Sequence, residues 1–447
     1  MLKKNTVIGY LPDETPSWGK LLLFALQQML VMFPATVLVA LLTGFHVSTT
    51  IFASGVATLS FLFITKGKIP LYYGSSFSYI AAIVSITGVS FGQLAPDNLI
   101  SQAQFGIICS GLISILAGVI VNKFGMEVIE KVLPATVTGS IAMVIGIALA
   151  GTAITNASGY NAAAGTTSSN AWIAAIVTLL ATIIFSVYLK GVFGQISILL
   201  GILVGYGVSI ALGMVDFSTI FSGSVVTAPH FTFPKFSWTA ILAIMPIAIA
   251  TIPESTAHLF QLDIYVNDLA KKKGKGKYKI ADKLGLNLIG DGVGDIVSSL
   301  FGGPAGTNYG ENISTMAITK NFSSMVLGAA AVMAIILSFF TPLANVINSV
   351  PSAVINGACI YLFGVIGAQG VAIMINKKVD LFNAKNLAVI AVILVIGLGG
   401  TYGFAGGMIP VFGAQLPAIA TASIVGIVLN MILSIGKKNE ESEEIAE

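Results

Sequence analysis

Apolar runs of about twenty residues, parted by short polar breaks, recur along the whole chain, and no other feature constrains its folding so sharply. A helix of about twenty residues covers the roughly 30 Å hydrocarbon core of a bilayer. The composition agrees: 55% of residues are hydrophobic, 9% are charged and the mean hydropathy is +0.92, whereas soluble domains carry about 25% charged residues. The chain is therefore expected to be an all-α, polytopic membrane protein. A net charge of +3 is too small to argue for nucleic acid. Cys109 and Cys359 each sit inside an apolar stretch without partner spacing, so neither a disulfide nor a metal framework follows. The first run, to about Phe45, is too long for a signal-peptide core and reads as a retained span.

Reading the runs between breaks places spans near 20–44, 48–65, 77–90, 102–122, 132–153, 171–189, 194–213, 238–260, 283–301, 311–319, 322–341, 352–372, 386–403 and 415–436, fourteen in all. Segments 77–90 and 311–319 are too short to cross alone and follow breaks rich in Gly, Ser, Asn or Pro, so they read as half-helices. The basic residues test this count, because cytoplasmic loops hold the Lys/Arg excess. All 22 are lysines, and with the N-terminus inside only Lys235 falls on the outer side. One miscounted span would invert every later loop, so an even number of spans with both termini cytoplasmic is expected. The Lys271–Lys279 run is either a contact for anionic lipid or a loop that fixes topology. The tail after Lys438 is acidic.

The two breaks fall at matching places. Tyr72-Tyr73-Gly74-Ser75-Ser76-Phe77-Ser78 opens the third span, and Pro304-Ala305-Gly306-Thr307-Asn308-Tyr309-Gly310-Glu311 opens the tenth, the third of a second seven. An odd number of spans per half forces opposite orientations, the inverted-repeat layout of many secondary transporters. Interrupted spans then meet near the midplane, where free helix N–H groups and positive dipole ends invite a ligand. The alternative is that Gly and Ser there only let helices pack closely.

Carboxylates inside spans are functional candidates, since each costs roughly 2.5–3.5 kcal/mol at the bilayer centre. Glu254 follows Pro253, and His258 lies one turn on, so the pair reads as a coupled titrating unit. A purely structural carboxylate, with His258 only orienting it, is the alternative. Glu311 starts a half-helix, where it either meets a ligand or caps free N–H groups. Asp291 and Asp295 read as supports of the neighbouring breaks more than as ligand contacts, and the Gly290-Asp-Gly292-Val-Gly294 string lacks the strand a dinucleotide loop needs. Phe77 stands where its ring is either packing or a stacking face for a flat ligand.

These residues resemble the nucleobase/ascorbate transporter family (nucleobase:cation symporter 2), most closely its bacterial uracil permeases. The stretches that carry the resemblance are Leu26-Gln27-Gln28, Lys66-Gly-Lys-Ile-Pro, Gly74-Ser-Ser-Phe77, Glu254-Ser-Thr-Ala-His258, Thr307-Asn-Tyr-Gly-Glu-Asn312 and Met316-Ala-Ile-Thr-Lys320. The resemblance implies a seven-plus-seven inverted repeat with segments 3 and 10 interrupted. A core domain would be built from 18–125 and 237–343, a gate domain from 126–236 and 344–436, with 437–447 a cytoplasmic tail. It implies substrate contacts at Glu254, Glu311, Phe77, Tyr309 and Gly310, proton coupling through Glu254 and His258, and support from Asp291, Asn312 and Gln27. Gln28 departs from the Gln-His pair common in the family.

The implied function is proton-coupled uracil import across the cell membrane by alternating access, with no enzymatic activity, no cofactor and no metal, and with a homodimer through the gate. Two carboxylates suit the N–H donors of neutral uracil, and half-helix amides suit its carbonyls. The alternatives are the same fold carrying a purine such as xanthine, or an anion channel or exchanger. The latter predicts cavity lysines that the spans lack. No nucleophile–base set or metal-ligand cluster stands out for an enzyme.

Overall fold

The computed structural model describes residues 9–127, 132–161, 163–218, 220, 223–411 and 414–435. Lys3, Lys4, Lys131, Lys437, Lys438 and the acidic tail, which the topology argument uses, lie outside the described residues.

The apolar runs form helices α1 (Trp18–Thr43), α2 (Val47–Ile64), α3 (Phe77–Thr87), α4 (Asp97–Phe124), α5 (Ala135–Ala157), α6 (Ser169–Tyr188) and α7 (Ser197–Ala211). They continue as α8 (Trp238–Lys272), α9 (Leu284–Leu300), α10 (Gly310–Thr319), α11 (Ser324–Leu337), α12 (Ser352–Asn376), α13 (Ala384–Gly403) and α14 (Ala418–Ile435). Among the described residues nine of these are long and apolar enough to cross a bilayer unaided. The chain is a multi-pass membrane protein.

Three features depart from the all-α expectation and its boundaries. Helix α8 does not stop near 260 but runs to Lys272, because Leu259, Leu262, Val266 and Leu269 keep one face buried after the other turns polar. A β-hairpin of β3 (Met408–Val411) and β4 (Ala414–Pro417) precedes α14. A short amphipathic helix, Thr341–Asn348, lies between α11 and α12.

Two packed groups emerge. In one, α4 lies on α9 and α8, α2 lies on α9 and α11, and α1 lies on α11, α3 and α10. In the other, α5 lies on α12 and α13, α6 lies on α7 and α12, and α13 lies on α14. Lipid tails are as apolar as the helices, so close backbone approach has to supply the cohesion. Glycines provide it at both principal crossings. A Cβ on Gly292 would sit 2.2 Å from the Gly111 carbonyl, and one on Gly370 would sit 2.4 Å from the Gly139 carbonyl. Gly118–Gly285 and Gly146–Gly367 repeat the arrangement further along the same helix pairs.

Strands β1 (Tyr73–Ser75) and β2 (Gly306–Asn308) are each followed directly by a short helix, α3 and α10. They pair antiparallel with Tyr73 opposite Asn308 and Ser75 opposite Gly306. The segment before α1 straps the far end of α10. Tyr10 donates to the Lys320 carbonyl and accepts from the Phe322 amide, both at 2.8 Å, and Glu14 bonds Lys273 at 2.5 Å and Lys275 at 2.9 Å.

Candidate functional site

The β1–β2 crossing brings the N-termini of α3 and α10 together, and two aspartates on α9 hold it there. Asp295 Oδ1 accepts from the Tyr73 hydroxyl at 2.5 Å and from the Gly306 amide at 2.8 Å, one contact to each strand. Asp291, one turn earlier, accepts from Asn308 Nδ2 at 2.9 Å and from the Ser255 hydroxyl on α8. Asn287 closes the network by donating to Ser255 Oγ at 2.7 Å. All five polar side chains other than Tyr73, namely Ser255, Asn287, Asp291, Asp295 and Asn308, are buried. Carboxylates placed where lipid would forbid them each accept two hydrogen bonds here, and so fasten β1, β2 and α8 to α9.

Helix α8 brings Glu254 to the same place. Pro253 has no N–H for the Ile249 carbonyl, which loosens the helix one turn before the carboxylate needs room. Glu254 Oε2 accepts from the Ser78 hydroxyl in the first turn of α3 at 3.3 Å. His258 packs against the turn that opens α10, where a Cβ on Gly310 would lie 2.9 Å from His258 Nε2. His258 Nδ1 is buried without a partner. Glu254 thus bonds across to α3, and His258, on the same helical face, faces α10.

Glu311 occupies the first turn of α10 and is exposed, while Asn312, Ile313, Thr315 and Met316 behind it are buried. The space at the heads of α3 and α10, which this carboxylate faces, is the candidate recess. Phe77, at the head of α3, is partly buried and packs against both large apolar clusters, at the seam between the two helix groups. Helix α5 also meets the Phe77–Tyr79 turn, and the short turn Val192–Gln195 meets α10. The recess is therefore walled by both groups.

The remaining sequence candidates hold the walls. Tyr309 is held on three sides: its amide donates to the Tyr72 carbonyl at 3.0 Å, and its hydroxyl donates to the Ser75 carbonyl at 2.9 Å and pairs with Thr36 at 3.0 Å. Its backbone N–H is already used, which leaves the N–H groups of Gly310 and Glu311 at the free end of α10. Asn312 donates to Gln28 Oε1 at 2.7 Å and to the Gln28 carbonyl at 2.9 Å, tying α10 to α1. Gln28 is therefore a wall residue to which the sequence alone assigned no role, with Gln27 half-buried beside it. Two adjacent amides in an apolar helix were the available signal, and helical phase decides which one faces inward.

A model of the permease family matches residues 19–406. The uracil permease of Bacillus caldolyticus is 36% identical over 94% of this chain and 94% of its own length. The uracil permease of Escherichia coli K12 is also 36% identical, over 95% of this chain and 93% of its own. Among solved structures, the transmembrane domain of a cyanobacterium bicarbonate transporter superposes with a TM-score of 0.55 at 11% identity, covering 94% of this chain and 97% of that one. The murine Slc26a9 anion transporter superposes with a TM-score of 0.65 at 12% identity, covering 95% of this chain and 70% of that one. At such identities the likeness is one of fold alone.

Proposed function

This chain belongs to the permease family matched over residues 19–406, and from that premise we propose that it imports uracil across the cell membrane as a proton symporter. Permeases transport; they are not enzymes. The observation that carries the reading is the meeting of two half-helix N-termini at the β1–β2 crossing, with Glu254 bonded to Ser78, next to Phe77 at the head of α3, and Glu311 in the first turn of α10. Uracil stacks on Phe77, its N–H groups donate to the two glutamates, and its carbonyls accept from the amides at Gly310 and Glu311. Tyr309, Asn312, Gln28, Asp291 and Asp295 position these groups from behind.

Proton coupling runs through Glu254, with His258 beside it. A protonated carboxyl donates one hydrogen bond, whereas an ionised one only accepts, so a proton on Glu254 changes which ligand edge the recess fits.

The helices α1–α14 are fourteen crossing segments in two inverted sevens, with both termini cytoplasmic. The packing supports this: exchanging each helix for the one seven places on turns α4–α9 into α11–α2, α1–α11 into α8–α4, and α6–α12 into α13–α5, all of which are packed pairs. Helices α1–α4 with α8–α11 form a core and α5–α7 with α12–α14 form a gate, and their relative movement exposes the recess to each side in turn. The resemblance adds a homodimer through the gate.

Equilibrium binding to purified protein tests the substrate. Uracil should bind, and excess xanthine, adenine, urate or bicarbonate should fail to displace it. Preferential binding of a purine would move the chain to the alternative substrate class, and binding of an anion would overturn the reading.

A further inference from the structure

The chain contains 3 histidines. His258 belongs to the recess; the other two meet at the opposite end of the α1–α2, α4 and α8 segments. His46 stands at the position just before α2, Asp97 opens α4, and His230 lies in the extended stretch before α8. We propose that His46, Asp97 and His230 form a binding site for one divalent transition metal of the zinc class, completed by water.

The geometry is that of a donor set awaiting a small closure. One ligand atom from each residue lies within 4.8 Å of the other two. His230 Nε2 is 2.9 Å from Asp97 Oδ2, and His46 Nε2 is 3.7 Å from Asp97 Oδ1. Tetrahedral zinc with bonds of about 2.0–2.2 Å holds its ligand atoms roughly 3.3 Å apart, so donors within 4.8 Å of one another need close by at most about 1.5 Å. The imidazoles stand with centroids 4.4 Å apart at 42°, and the Nε2 atom of each faces the Asp97 carboxylate.

Two further observations favour a ligand. His46 Nε2 is buried with no hydrogen-bond partner, which leaves a strong acceptor or donor unsatisfied. The His230 segment is also held rigidly in place. Thr49 donates to the His230 carbonyl at 2.7 Å, Thr232 and Gln104 bond each other reciprocally, both at 2.9 Å, and the Lys235 amide donates to the Ser101 carbonyl at 2.8 Å. A pre-placed imidazole loses little freedom on binding a metal. Half of the His230 side chain and more than half of Asp97 remain open, at 51% and 58% exposure, so an ion can enter. Bound metal would clip the α1–α2 turn, the head of α4 and the approach to α8 into one unit. Imidazole with carboxylate suits zinc, copper and nickel over magnesium or calcium.

The test uses the full chain in detergent with any purification tag removed. Titration with zinc chloride should give one equivalent bound, and cobalt chloride should give the visible absorption of a tetrahedral site. Zinc should raise the melting temperature of the wild type and leave that of His230→Ala unchanged. His230→Ala, Asp97→Asn and His46→Ala should each weaken binding at least tenfold, while His258→Ala retains it. Because His230 and Asp97 are exposed, their variants keep the fold. Undiminished zinc uptake in His230→Ala and Asp97→Asn, or no stoichiometric uptake by the wild type, overturns the site.

Discussion

Glu254 and Glu311 stand at different points of the same recess, and the groups around them set different tasks. Glu254 reaches across to Ser78 on α3, so its protonation state bears on how α8 holds α3. Glu311 stands at the positive N-terminal end of α10, beside its free N–H groups. Glu254→Gln keeps the shape and removes the titration; accumulation of uracil against its gradient should be abolished. Glu311→Ala removes a direct contact, and uracil binding should vanish in an equilibrium assay. Accumulation that survives in Glu254→Gln with an unchanged pH profile would move the proton site elsewhere, with Asp291 next to test. Phe77→Ala should weaken uracil affinity by roughly 1–3 kcal/mol, about five- to 150-fold, and Phe77→Tyr by far less. Equal affinities in the two variants would return Phe77 to a packing role. These residues were legible because charge and aromaticity are conspicuous at a break in an apolar run. The role of Gln28 was not, since Gln27 and Gln28 are chemically identical and only helical phase buries one against Asn312.

At the scale of elements, cohesion rests on backbone contact. A Cβ at Gly292 would lie 2.2 Å from the Gly111 carbonyl, a main-chain atom that cannot swing aside. Gly292→Ala should therefore part α4 from α9 and cost about 1–3 kcal/mol, read as a lowered melting temperature. Gly276→Ala, where nothing lies within 4 Å, should leave the melt unchanged.

The strap before α1 makes a pH prediction. Burial pushes the Glu14 carboxyl up, but hydrogen bonds from Lys273, Lys275 and the Leu11 amide outweigh it and bring the group from 4.5 down to about 2. A depressed folded value means the contribution is complete above about 4.5 and is lost as pH falls toward about 2. Amide exchange at Tyr10 and Phe322 should speed up across that window in the wild type, and be fast and pH-insensitive there, apart from intrinsic exchange, in Glu14→Gln.

Element boundaries show what periodicity can convey. The apolar stretches of α1, α2, α6 and α12 announce themselves, whereas the last three turns of α8 do not, because their buried face is narrower than a span and Asp263 and Asn267 accept from the returning chain. The β3–β4 hairpin is equally silent: Met408-Ile-Pro-Val411 reads as the end of an apolar run, and its pairing depends on a partner found only in three dimensions.

For the whole molecule, the account holds that matching breaks in two inverted halves build one central recess between a core and a gate. The breaks at 72–76 and 304–309 could be read from Gly, Ser and Asn. Their antiparallel pairing, and Asp295 bonding both strands, could not, since 222 residues separate Asp295 from Tyr73. Orientation is open to direct test. Cysteines placed at Lys272 and Tyr160, 52% and 49% exposed, in a background lacking Cys109 and Cys359, should react with an impermeant reagent from the cytoplasmic and external faces respectively. Reaction of both from one face would break the even span count.

The central claim is coupling of uracil to protons, and the most direct measurement is uptake of radiolabelled uracil into liposomes holding the purified protein under an imposed pH gradient, acidic outside. The account predicts that uracil rises inside above its external concentration and that an ionophore collapsing the gradient releases it. Uptake that only equilibrates, with the same rate and extent whether or not the gradient is present, would contradict it.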